Sequence, residues 1–389
     1  MRTRTQQELI DIIRYEIRGI PLPDGFSVSD EDSLIKLSKE HDLSHLVYDA
    51  LEKNGIACSS GSAMQQYYAS IWRAEQMAHE LESMTQLFEI NGIDFIPLKG
   101  AVIRLLYPEP WMRTSADIDI LFHEEDVESV SGLLVGELSY TKDEEDKTSH
   151  QLSFHVPPNG VHVEIHRLLF VDYQINQSVL DVMPLIWEQA RPESGYKHLM
   201  RMSDPCFYLH HVAHMVKHLS SNGGCPIRSL IDLWILDNLP DRDERQRRTI
   251  LEKAGILTFA EVMSETAKAW LEGGDVPSEE LEQYILTGHM YGELEDEVSF
   301  GIDTNGLGKY VFNRIFLPYN VIKYAFPVLQ KHRWLTPFFQ IVRWTKVLKK
   351  EYRKRLLYRI RSLLHMNHED MDQISQVKQI LGLNNTKEE

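Results

Sequence analysis

The chain has 389 residues, 43% of them hydrophobic, and a formal net charge of −17. That length buries at least one sizeable core and suggests two or three lobes. Binding to phosphate backbones draws on clustered Lys and Arg, so nucleic acid is not expected as a generic partner of so acidic a chain. The acidity is uneven: 123–146 is rich in Asp and Glu, whereas 331–361 is rich in Lys and Arg. Three cysteines, Cys58, Cys206 and Cys225, make no disulfide framework. The basic start lacks the apolar run of a signal peptide. No window reaches the roughly eighteen uninterrupted apolar residues of a membrane span, and a cytoplasmic setting is expected.

The first ninety or so residues read as helices. Leu9, Ile12, Ile13 and Ile17 recur at helical spacing. Ser29, Asp30, Glu31, Asp32 and Ser33 form a helix start with acids in the first turn. A second helical run over 63–90 stops at Asn91-Gly92. The pattern then changes. Residues 95–98 form a short buried strand, Lys99-Gly100 a bend, and 101–107 a helix ended by Pro108. A strand over 118–122, a helix over 124–135, and strands over 151–156 and 161–166 follow. The last two are joined by the turn formers Pro157, Pro158, Asn159 and Gly160, as a hairpin. From about residue 180 the chain returns to helices, clearest over 205–219 and 227–238, with a break at 301–308 and a frayed tail at 384–389. The expected fold class is α+β, a small mixed sheet between helical flanks. Its regions are 1–90 (helical), 91–172 (α/β core), 173–300 (helical) and 301–389 (basic, aromatic and helical).

Asp117 and Asp119 are two apart at the head of a strand, so both carboxylates project from one face while Ile118 turns into the core. Paired acids repel unless a cation lies between them, and magnesium, with manganese as the alternative, prefers such oxygen ligands. Glu164 alternates with Val163 and Ile165 on a later strand. If that strand lies beside 118–122, three acids can hold two metals, one at an attacking oxygen and one on a triphosphate. Alone, the Asp pair reads more simply as a solvated strand entrance. The order of the motifs raises the stakes. Gly100 follows a strand and opens a helix, where backbone can approach a phosphate. Lys99 and Arg104 are candidate phosphate contacts, and Arg113, Thr114 and Ser115 bring a guanidinium fork and hydroxyls just upstream of the acids.

Gly100, Asp117, Asp119 and Glu164 in this order resemble the DNA polymerase β-like nucleotidyltransferase superfamily. More closely, Pro97-Leu98-Lys99-Gly100, Leu106-Tyr107-Pro108, Arg113, Asp117-Ile118-Asp119-Ile120-Leu121 and Val163-Glu164-Ile165-His166 resemble the bacterial uncharacterised nucleotidyltransferase family. His214, Lys217 and His218, followed by Arg228 and Asp232, look like a downstream signature of that family. The resemblance implies transfer of a nucleoside monophosphate from an NTP to an acceptor, a small molecule, sugar, peptide or protein. It makes Asp117, Asp119 and Glu164 the metal ligands and catalytic acids, and Gly100 the phosphate turn. One departure stands out: Ala101 follows Gly100 where the superfamily usually has Ser or Gly. It motivates the alternative of a catalytically degenerate binding or scaffold protein.

Other features have plainer readings beside functional ones. His210, His211, His214 and His218 share one helix with Cys206 one turn before, which suggests zinc, a nucleotide-facing wall, or simple packing. A zinc hydrolase on this cluster is the weakest of the readings. Arg228 and Asp232, four apart, form an exposed ion pair on a helix. His162 and His166 share the face of Glu164. The basic aromatic segment 334–361 is a helical lid packed on the core with a solvated face, a basic surface for an acidic partner, or a membrane-surface contact.

Overall fold

In the structure, a computed structural model that describes residues 2–143, 150–158, 160–288, 312–313, 315–345 and 368–383, the spaced Leu9, Ile12, Ile13 and Ile17 form the buried stripe of helix α1 (Arg4–Arg18). Asp30 caps α2 (Glu31–Glu40) by accepting from the Ser33 amide. After α3 (Ser44–Lys53) comes the long α4 (Gly61–Asn91), which Gly92 ends in the left-handed conformation at φ 70°.

A five-stranded mixed sheet follows. Its strands are β1 (Phe95–Pro97), β2 (Asp117–Phe122), β3 (Thr141–Lys142), β4 (Gln151–Val156) and β5 (Val161–His166), in the order β1-β2-β5-β4-β3. β2 and β5 run parallel at the centre, and every other pairing is antiparallel. The alternation of β2 decides the layering. Ile118, Ile120 and Phe122, beside Val163 and Ile165, are buried against α4 and the helix α6 (Val127–Gly136). Phe88 of α4 packs edge-on to Phe95 and Phe122, with ring centroids 5.1 and 5.0 Å away. The opposite face presents Asp117, Asp119, Glu164 and His166, and it faces the helices downstream.

Those helices are α7 (Gln177–Val182), α8 (Leu185–Gln189), α9 (Asp204–Asn222), α10 (Ile227–Asp237), α11 (Glu244–Ala254), α12 (Leu257–Glu272) and α13 (Glu279–Thr287). α9 to α12 share one continuous hydrophobic core with α1 to α3, so segments far apart in sequence build one helical lobe. Further helices span Tyr319–Ala325, Val328–Lys331, Thr336–Thr345 and His368–Ile380. The expected break at 301–308, residues 346–361 of the basic segment and the tail 384–389 lie outside the described residues. No helix among the described residues is long and apolar enough to cross a membrane.

One local expectation is corrected, and two short elements are added. The helix expected over 101–107 is one α-turn, α5 (Gly100–Ile103), then a 3-10 turn over Arg104–Leu106. The Arg104 side chain folds back, and its Nε donates to the Gly100 carbonyl at 2.7 Å, taking an acceptor that a longer α-helix would use. Strand β3 and a two-stranded ribbon of Arg191–Pro192 with Met200–Arg201 escaped the sequence reading, because two residues carry no period.

Helix α1 also buries an acid. Glu16 lies beside Asp49 of α3, and Lys53 contacts both. Burial first, and then the Asp49 charge, push the Glu16 pKa up to about 8 from its ordinary 4.5. The folded chain therefore keeps a proton that the unfolded chain has released, and this contribution to stability is lost as pH rises from 4.5 to 8. Glu16→Gln should make stability fall less steeply across that interval in urea unfolding. An unchanged slope would contradict the assignment.

Candidate active site

The parallel pairing of β2 and β5 sets Asp119 opposite Glu164 and Asp117 opposite His162. Asp119 is only 3% exposed, so its charge needs compensation. Two groups supply it at the same oxygen: Lys99 Nζ lies 2.8 Å and His166 Nε2 2.6 Å from Oδ1. Burial alone would raise the Asp119 pKa. The Lys99 charge and the His166 hydrogen bond outweigh that and hold it well below the usual carboxylate range. The same contacts, against the opposing effect of burial, raise the pKa values of Lys99 and His166. Asp117 lacks such partners, and burial followed by the Asp119 charge push its pKa up to about 6.

Lys99 reaches Asp119 from a bend that few non-glycine residues adopt, at φ 45° and ψ −122°. Such a conformation costs about 1–3 kcal/mol and persists where its surroundings fix it. Here the Leu98 amide donates to the Asp119 carbonyl at 2.9 Å, which sets the bend beside the acid. Gly100 comes next for a steric reason. A Cβ there would lie 2.8 Å from Ser115 Oγ and 3.0 Å from Arg113 Nη1. Oxygen and nitrogen atoms of Asp119, Glu164 and His166 lie within 4.8 Å of one another, the one group with metal-ligand spacing among the described residues. Two carboxylates and an imidazole suit a divalent cation, and Asp117 adds a third carboxylate on the same face.

The loop before β2 is clamped from the helical lobe. Arg113 makes a two-point contact with the fully buried Asp232 of α10, Nη2 to Oδ2 at 2.7 Å and Nε to Oδ1 at 3.2 Å. Tyr107 donates to the same Oδ1 at 2.6 Å. Arg228 Nη1 reaches the Thr114 carbonyl at 3.0 Å and Asp42 Oδ2 at 3.3 Å. Arg104 lies behind Gly100 and also donates to Ser115 Oγ.

A family model described as uncharacterised nucleotidyltransferase matches residues 27–272, well over half of the chain. The chain belongs to this family. Nothing among the curated proteins or the solved structures matches it. Family membership supports nucleotidyl transfer as its general chemistry.

For this nucleotidyltransferase, the structure brings together Lys99, Gly100, Asp117, Asp119 and Glu164 as the spacing implied. Ser115 and Arg113 join them at the rim of Gly100. The exposed Arg228–Asp232 pair does not form: Asp232 is buried and holds Arg113, whereas Arg228 turns to Thr114 and Asp42. The zinc reading finds no cluster of the α9 histidines and Cys206 among the described residues either. His211 Nε2 lies 3.1 Å from the Ser229 carbonyl, His214 and His218 bond to each other, and Cys206 contacts Leu185 and Gln189. The four histidines instead wall a cleft. Sequence reasoning placed His166 only on the right face, although its two-residue spacing from Glu164 was the signal that could have found it. Asp42, in the turn after α2, had no signal at all.

Asp232→Asn removes the charge that balances a buried guanidinium. Breaking such a pair typically costs about 3–5 kcal/mol. Urea unfolding should show a loss of that size, and a loss below about 1 kcal/mol, as for exposed pairs, would contradict the clamp.

Proposed function

We propose that this protein is a metal-dependent nucleotidyltransferase of the DNA polymerase β-like type, moving a nucleoside monophosphate from an NTP to an acceptor and releasing pyrophosphate. The observation that carries the reading is the register of Asp119 against Glu164 on parallel strands, with Asp117 two residues away on the same face. Asp117, Asp119 and Glu164 would hold divalent cations, with the His166 imidazole at the same oxygen cluster. Such cations, when bound, neutralise the triphosphate and lower the pKa of an attacking oxygen.

The chain's own groups have separate tasks. Glu164 is half-buried and, as the acid opposite Asp119, takes the proton of the acceptor hydroxyl. The acceptor oxygen then bonds to the α-phosphorus. The bond from that phosphorus to the bridging oxygen breaks, and pyrophosphate leaves with the electron pair. Lys99 offsets negative charge as it develops, from a position fixed by the strained bend. Arg113 keeps the loop of Ser115 and Asp117 in place through Asp232. The acceptor belongs to the class of small molecules, sugars, peptides or proteins.

The competing reading is a scaffold with a lapsed site, and Ala101 after Gly100 favours it. A specific contact weighs against it: Ser115 places a hydroxyl beside Gly100, so a donor absent from position 101 arrives from the neighbouring loop. Replacing Asp117 or Asp119 with Asn tests the reading. Purified variants incubated with labelled NTPs, magnesium and cell extract should lose label transfer by roughly 100-fold or more. Transfer at the wild-type rate would overturn the assignment.

A further inference from the structure

The basic, aromatic C-terminal stretch is tied to the segment that follows β5. Lys323 of the helix Tyr319–Ala325 pairs with Asp172, and the Tyr324 ring lies 5.5 Å from that of Tyr173. From that seat the chain runs on into the helix Thr336–Thr345. The inward face of this helix is polar. Gln340 is buried and donates from Nε2 to the Leu317 carbonyl at 2.6 Å. Arg343 Nη2 and Trp344 Nε1 donate to the Ile315 carbonyl at 3.3 and 3.0 Å.

The outward face is apolar. Trp334, in the turn before the helix, is 76% exposed, and Phe338 and Ile341 are 58% and 60% exposed. They follow one another at spacings of four and three, which sets them along one side. Folding in water turns such residues inward, and a lid packed on the core would do so. A single exposed apolar residue is ordinary, whereas a row of three with two aromatic rings marks a contact surface. The charges around this row have one sign. Lys331 and Arg333 are exposed just before it, and the Arg333 guanidinium lies 4.4 Å from the centre of the Tyr319 ring. Residues 331–345 contain no Asp or Glu. The sequence continues through 346–361, outside the described residues, with eight Lys and Arg against Glu351.

The two properties together select the occupant. An acidic soluble partner would match the charge and leave the apolar row wet, and a neutral apolar partner would do the reverse. A bilayer with anionic headgroups matches both, with Lys and Arg at the headgroups and Trp, Phe and Ile just beneath them. The rest of the chain sharpens the choice. The formal net charge is −17 in spite of this segment, so an anionic surface repels the body and admits the protein by this face. We propose that the face formed by Trp334, Phe338 and Ile341, flanked by Lys331 and Arg333, docks on the surface of a bilayer rich in anionic phospholipid. The segment lies on that surface and does not cross it, since no described helix is long and apolar enough to span. This dock stands apart from the nucleotidyl-transfer reading and does not depend on it.

Vesicle flotation of the full chain tests the dock, with phosphatidylcholine vesicles and mixed phosphatidylcholine–phosphatidylglycerol vesicles as the probes. The wild type should float with the mixed vesicles and bind phosphatidylcholine alone about tenfold more weakly or less. Trp334→Ser combined with Phe338→Ser removes the apolar contact, and Lys331→Gln combined with Arg333→Gln removes the neighbouring charge. Both pairs alter exposed side chains, so melting temperatures should stay at the wild-type value. Each pair should weaken binding to mixed vesicles by about tenfold or more. Flotation with neither vesicle type, equal flotation with both, or wild-type affinity in the folded Trp334 and Phe338 variant would overturn the dock. The first two outcomes are read on the wild type and need no variant. Sedimentation completes the test: self-association that Trp334→Ser with Phe338→Ser abolishes, without vesicle binding, would overturn the dock and make this face an interface between copies.

Discussion

An ionised carboxylate at Asp119, almost wholly out of water, is sustainable only because two donors converge on one of its oxygens. Lys99 and His166 are those donors, and each is delivered by a different part of the chain. Lys99 comes from the strained bend after β1, and His166 from the far end of β5. The strand register, the bend and the glycine behind it are therefore coupled: moving any of them leaves a buried charge uncompensated, which is costly. Asp117, nearby but without those donors, is held toward its protonated form. A site that concentrates negative charge and resists it at one member is suited to positive ions.

The second constraint is the joint between the sheet and the helical lobe. The loop that introduces β2 could adopt many conformations on its own. Arg113 anchors it to Asp232, and Thr114 lies between Arg228 and Asp42. These contacts draw on α10 and on the turn between α2 and α3, so the N-terminal helices help shape the site from a distance. The shared core of those helices with α9 to α12 makes this possible, because one continuous hydrophobic core carries both ends of the clamp. The same arrangement presents the histidine face of α9 to the acids.

Much of this was legible in the sequence, and the limits have physical causes. The period-two alternation of residues 117–120 and 161–166 was strong, because each strand turns its apolar residues to the α4 side and its polar ones to the opposite face, so the convergence of the three acids followed once the strands were placed side by side. Helix α4 was equally clear, with its long apolar stripe and Asn91-Gly92 stop. Arg228 and Asp232 misled, because a four-residue spacing favours pairing only on an exposed helix face, and burial gave Asp232 a better partner in Arg113. The α5 turn was shorter than expected because a side chain took a backbone acceptor. Asp42 lay beyond sequence reasoning, since its role depends on a tertiary contact with no local pattern.

The most direct measurement is anomalous diffraction from crystals of the full chain grown with manganese and a non-hydrolysable NTP. Manganese signal in contact with Asp119 and Glu164, with Asp117 turned toward it, is the result that the convergence of these acids requires. Manganese bound elsewhere, with Lys99 and His166 still closing Asp119 in the presence of nucleotide, would contradict it.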